Sequence, residues 1–356
     1  MRCRIASIVI IVNALTISLV GQAVAALTFT VTSGSGVTPQ VLSGFNSAAA
    51  IWSGYIKDDI NVNITLNVAT LADGETGTSN PVQGFYSYAS VRSALIADSA
   101  SATDQTAVAH LQAGPAVSLL INRTQNNPNG VGSATPYLDN NGDANNITLR
   151  LTNANAKSLG LVSAGNSARD ATITFNNNIA FDYDRSNGIA PNQIDFVGVA
   201  THEIGHVLGF FSGVDVLDRN STPPDFAPDS QFQFVTVMDL YRYSTDSVAQ
   251  MAIDWTDDTR SKFISFDGGA TSVGGLSTGT NYGDGYGASH WKDNLQLGIM
   301  DPTFAYGELG VLSARDLQLM DAIGYQTVPE PVESTIMLLG VNALKRTKRS
   351  VSPVSR

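Results

Sequence analysis

The chain has 356 residues, 43% of them hydrophobic, which is enough to bury a core in one large or two smaller domains and excludes a disordered tail. Its formal net charge is −11, and basic residues gather at the two ends, so the body between them is more acidic still; such a body repels nucleic acid and anionic lipid, which sets DNA and RNA aside as partners. The only cysteine is Cys3, so beyond the N-terminal segment stability must come from packing and bound ions, without disulfides.

Met1 to Arg4 carry positive charge, Ile5 to Val20 are apolar, and Ala23-Val24-Ala25 offers small residues for cleavage. Residues 1–25 therefore read as a signal peptide with Ala26 the first mature residue, the competing reading being a retained membrane anchor. From Gln40 to Ile56 apolar residues recur at helical spacing, and Ile60 to Leu71 alternates like a strand. Tyr86 to Ala100 and Thr103 to Leu111 predict two more helices. His110 falls in the second, where a lone histidine reads as packing.

Asn122 to Asn146 is rich in Asn, Gly, Asp and Pro and predicts loops. Within it Asp139-Asn-Asn-Gly-Asp143 approaches a calcium loop, but the sixth position is not glycine and the twelfth is Arg150 in place of a bidentate glutamate, so calcium there has no support. Ile147, Leu149 and Leu151 predict a strand, and Ala171 to Asp184 one or two more, of which we expect an edge strand able to pair with an extended peptide. A buried helix follows, with Asn192 or Asp195 as its cap.

Residues 201–215 read Thr-His-Glu-Ile-Gly-His-Val-Leu-Gly-Phe-Phe-Ser-Gly-Val-Asp. His202 and His206 are four apart and project from one face of the helix, so both imidazoles can bind one zinc ion. Glu203 stands where it can take a proton from a water that the metal activates. A catalytic zinc of this kind needs a third protein ligand and keeps its fourth position open. Three residues compete for that role. Ser212 lies six residues after His206 but is a poor zinc ligand, Asp215 is three residues further on, and His290 is the best-matched histidine left.

His290-Trp291 is followed at ten residues by Met300-Asp-Pro. Together with HExxHxxGF this resembles the leishmanolysin-like metzincins, in which a long insertion separates the zinc helix from the third histidine, and exported bacterial metallopeptidases that share the late His-Trp segment. The resemblance implies zinc ligands His202, His206 and His290, a catalytic Glu203, and Met300 as an apolar floor beneath the metal. Met238, with no histidine at useful spacing before it, reads as packing. Residues 216–289 would be the insertion. Ser313-Ala-Arg-Asp316 then predicts the start of a last helix, closed by Gly324.

Val328-Pro-Glu-Pro, an apolar stretch from Ile336 to Leu344 and the cluster Lys345 to Arg349 resemble the PEP-CTERM sorting signal of Gram-negative bacteria. That likeness implies export, transient association of the tail with the inner membrane, and a final place in the envelope, at the surface or outside. The expectation is an α+β, metzincin-like, two-lobed zinc endopeptidase over 26–327, acting on protein or peptide, with a sorting tail at 328–356. A competing expectation is a non-enzymatic envelope or matrix protein on a degenerate peptidase fold.

Overall fold

A computed structural model describes residues 26–328. The signal-peptide reading and almost all of the sorting-tail reading lie outside the described residues.

Strand β1 (Thr28–Ser33) leads into helix α1 (Pro39–Tyr55). Thr38 caps that helix by accepting the Val41 N–H at 3.2 Å, Pro39 presets its first turn, and the apolar stripe Val41, Phe45, Ala48, Ala49 and Trp52 is buried. β2 (Asn61–Ala69) buries Val62, Ile64 and Leu66 on one face, as its alternation predicts. β3 (Gly77–Pro81) and β4 (Gln83–Ser87) come next, then α2 (Tyr88–Asp98) and α3 (Ala102–Ala109), the latter opened by a Ser101–Asp104 capping box.

Short pieces follow: β5 (Leu119–Ile121), β6 (Tyr137–Asp139), α4 (Ala144–Ile147), β7 (Thr148–Thr152) and α5 (Asn153–Ser158). β8 (Ala171–Asn176), β9 (Phe181–Asp182) and β10 (Ile194–Asp195) lead to α6 (Phe196–Leu208) and α7 (Val214–Asn220). The remainder holds β11 (Arg242–Tyr243), α8 (Thr245–Ala249), β12 (Ile253–Asp254), β13 (Lys262–Ile264), β14 (Gly274–Leu276) and α9 (Ala314–Ala322).

The largest sheet has the order β1-β2-β8-β3, with β1, β2 and β8 parallel and β3 antiparallel to β8. The smaller sheets pair β4 with β7, β9 with β10, β12-β5-β6 and β11-β13-β14. Helices and strands are thus mixed in several small sheets, an α+β arrangement around a core running from Leu27 to Tyr325. α1 and α6 pack on each other, with the Trp52 indole donating to the Thr201 carbonyl at 2.9 Å.

The edge-strand expectation is corrected here. β8 lies between β2 and β3 and has both sides paired, while the chain after Asn176 turns away to β9. The edges are β1 and β3, and the sequence of β3, Gly-Thr-Ser-Asn-Pro, has no apolar alternation and predicts nothing. The segment expected as an insertion is also stitched into the earlier chain, because β12 pairs in parallel with β5.

One ion pair fastens the large sheet to α5. Lys157 Nζ lies 2.6 Å from Asp170 Oδ2 with both side chains out of solvent, and it also donates to the carbonyls of Asn61 and Asn166. Lys157→Met leaves a buried carboxylate without its countercharge, so we expect a loss of about 3–5 kcal/mol in urea unfolding. A loss below about 1 kcal/mol, the range of an exposed pair, would show that water reaches this site.

Candidate metal centre

α6 is apolar almost all round, and its burial is what brings two imidazoles out of water together. Its N-cap differs from expectation: Asp195 occupies the position but makes no capping bond, because Arg185 Nε (2.9 Å) and the Gly310 N–H (3.0 Å) take its carboxylate. At the other end Gly209, at φ 117°, adopts the left-handed conformation that stops the helix and turns the chain away below His206.

His202 and His206 present Nε2 atoms 3.1 Å apart, and His290 Nε2 lies 3.2 Å from that of His206. The Nδ1 atom of each ring faces a backbone carbonyl: Ile299 at 2.8 Å for His202, Phe210 at 2.7 Å for His206 and Gly287 at 3.0 Å for His290. A carbonyl only accepts, so each Nδ1 carries the proton and each Nε2 a lone pair. Burial also pushes all three imidazoles toward the neutral form, His202 down to about 3, with the neighbouring imidazoles adding to the effect on His202 and His206. Three lone pairs converging on one point repel one another, and a cation between them removes that repulsion. The three histidines lie close enough to bind a metal ion, and the donor set fits one.

The competition for the third position is resolved by position. His290 joins the cluster. Asp215 accepts from the N–H of Ala288 (2.6 Å) and of Ser289 (3.2 Å) and from the Ser289 hydroxyl, so it anchors the loop that delivers His290. Ser212 faces the interior, its N–H donating to Ser289 Oγ at 2.9 Å and its hydroxyl to Asp239 at 2.6 Å. His110 is exposed at the end of α3, with Nδ1 on the Thr106 carbonyl, neither packed in the core nor near the cluster.

Met300 is fully buried against α6, where a β-carbon added to Gly205 would meet its sulfur at 2.4 Å. Gly205 is therefore required by close approach. Met238 is core, as expected. Asp316, read from sequence only as part of a helix cap, does more. It accepts Trp291 Nε1–H at 2.8 Å and the N–H groups of Ile299 and Ser313 at 2.8 and 2.7 Å, tying the segment beside His290 to the one whose carbonyl orients His202.

Glu203 lies on the same helix, 5% exposed. Burial pushes its carboxyl up to about 7, with Ser79 opposing and Glu75 reinforcing the shift. β3 passes directly over it: a β-carbon on Gly77 would come within 3.0 Å of Glu203 Oε1. The three histidines, Glu203 and residues 74–79 line a cleft of about 510 Å³ that Phe211 and Phe304 also border. The covering strand was invisible to pattern reading, since it carries no apolar periodicity.

Because Asp215 positions His290 without joining the cluster, Asp215→Ala should keep one metal per chain but weaken its affinity about 10–100-fold. His290→Ala should abolish tight binding, both measured by chelator competition. Unchanged affinity in the Asp215 variant would show that the His290 loop holds its place through its other contacts, without Asp215. No family model matches the chain, and no curated protein or solved structure matches it, so the assignment of this centre rests on its own geometry.

Proposed function

We propose that the chain is a zinc-dependent endopeptidase of metzincin-like, two-lobed build, with Glu203 as general base. The observation that carries this reading is the Glu203 carboxylate, one residue beyond His202 on a buried helix, in the same cleft as all three imidazoles. A metal held only for stability has no use for it.

Three neutral nitrogen donors suit zinc, and separations of 3.1 and 3.2 Å suit ligands each about 2.0–2.1 Å from one ion. Zinc held by His202, His206 and His290 would polarise a scissile carbonyl and make water acidic enough to attack at neutral pH. Glu203 takes the proton from the attacking water and delivers it to the departing amine. Burial raises this carboxyl, which makes its anion a stronger base for the first transfer. β3, as the free edge above the cleft, would align an extended peptide by backbone pairing, with Ser79 and Gly77 over Glu203. In this reading the sheet β1-β2-β8-β3 with α1 and α6 forms one lobe and the chain from Ser212 to Tyr325 the other. Export of the enzyme and sorting by its tail are part of the same proposal and rest on the two terminal segments.

Glu203→Gln should keep the metal and lower kcat by about 10²–10⁴-fold on a general peptide substrate. Full turnover in that variant would sink the mechanism, and a wild type that holds metal but cleaves nothing would favour a binding protein.

A further inference from the structure

A second group of buried acids lies away from the histidines. Asp218, on α7, and Asp257, just after β12, both crowd Gly279: a β-carbon there would stand 2.9 Å from Oδ1 of Asp218 and 2.6 Å from Oδ1 of Asp257. Asp218 is well satisfied. Its oxygens accept the N–H groups of Thr280, Asn281 and Tyr282 at 3.2, 2.9 and 3.1 Å and the Asn281 side-chain amide at 3.1 Å.

Asp257 is not. Its side chain is wholly buried, and neither carboxylate oxygen accepts a hydrogen bond. The nearest cation is Arg123, whose Nε lies 3.7 Å from Oδ2, beyond hydrogen-bond reach. That guanidinium lies over the Tyr282 ring, 3.7 Å from its centroid, and its Nε–H goes to the backbone carbonyl of Asp257 at 3.2 Å. Two further buried oxygens on the same segments have no partner: the hydroxyl of Thr278, which precedes Gly279, and that of Ser221, three residues beyond Asp218.

A buried carboxylate without hydrogen bonds is costly, and a second one against it adds repulsion. The atoms gathered here are oxygens, which select a hard cation. Calcium accepts irregular shells of oxygen, whereas magnesium demands a near-octahedral shell and holds its waters.

We propose that Asp218 and Asp257, together with the Thr278–Gly279 segment, form a calcium site at the root of the loop that carries His290. Burial and then the Asp218 charge push Asp257 up to about 8, so without a cation Asp257 keeps a proton against Asp218 at neutral pH, and a divalent cation would take that proton's place. α7 already reaches that loop twice, through Asp215 to residues 288 and 289 and through Asp218 to residues 280 to 282. Calcium would lock the second contact and with it the path to the third histidine.

The test is equilibrium dialysis of the full chain against about 1 mM calcium chloride with excess magnesium. We expect one calcium per chain, retained in His202→Ala, lost in Asp257→Asn, and accompanied in wild type by a higher thermal midpoint. The His202 variant separates this site from the histidine centre, so the proposal stands or falls apart from peptidase activity. A wild type that binds no calcium overturns it, with Asp257 then sharing a proton with Asp218; so does binding undiminished in Asp257→Asn. If that variant does not fold, terbium decides: aromatic-sensitised emission from wild type that calcium displaces is expected, and its absence overturns the site.

Discussion

Everything in the centre depends on three imidazole lone pairs facing one point. Neutral histidines reach such an arrangement only if each ring is turned by a bond at its far nitrogen, and the three acceptors come from widely separated places: the turn after α6 at Phe210, the loop at Gly287 and the segment at Ile299. A ring free to flip would present a proton where the ligand atom belongs. The backbone around α6 is therefore as much a part of the centre as the histidines. Met300 against Gly205, and the Trp52 indole on the Thr201 carbonyl, fix the helix from two sides so that the two rings keep their spacing.

Buried and half-buried aspartates hold the loops in a chain whose only cysteine is Cys3. Asp239 accepts from the Ser212 hydroxyl, the N–H groups of Gly213 and Thr236 and the Trp255 indole, fixing the exit from α6. Asp316 joins Trp291 to Ile299, and Asp215 joins α7 to Ser289. A hydrogen bond to a charged group contributes about 1.5–3 kcal/mol, so an aspartate with several donors does work comparable to a disulfide's roughly 2–4 kcal/mol. Unlike a disulfide, it orients the groups it touches, which is what a ligand loop needs. The cost is a charge taken out of water, and that cost is visible in the raised carboxyls of Asp239 and Asp316, where burial outweighs the donors.

Periodicity made α1, β2 and α6 legible because burial of one face leaves its mark on side chains. It failed where position is set by backbone pairing. β8 alternates cleanly, yet alternation records which face is buried and is silent on whether neighbours flank both sides, so an interior strand was expected at the edge. β3, the edge strand beside β8, has one paired side and small polar residues, the composition an exposed edge tolerates. His202, His206 and Glu203 were readable from spacing alone, and His290 from the shortage of other donors. The roles of Asp215 and Asp316 were not readable, since a carboxylate that anchors a loop looks in sequence like one that caps a helix or faces solvent.

The distance between His206 and His290, 84 residues, raises the question of what keeps the third ligand in place. Closing a flexible loop of that size costs only slightly more than closing one of half its length, because the entropy grows with the logarithm of length. Length itself is therefore a weak obstacle; disorder within the loop is the strong one. The segment answers this by folding against the rest: β12 joins β5, β13 pairs with β11 and β14, and Leu276 bridges to Trp291 next to the ligand. By the time the chain returns to His290 its path is fixed from both sides, by β14 before it and by Asp316 after it. A metal ion bound by the three histidines would then have no need to order residues 216–289, and its binding energy would remain in the centre.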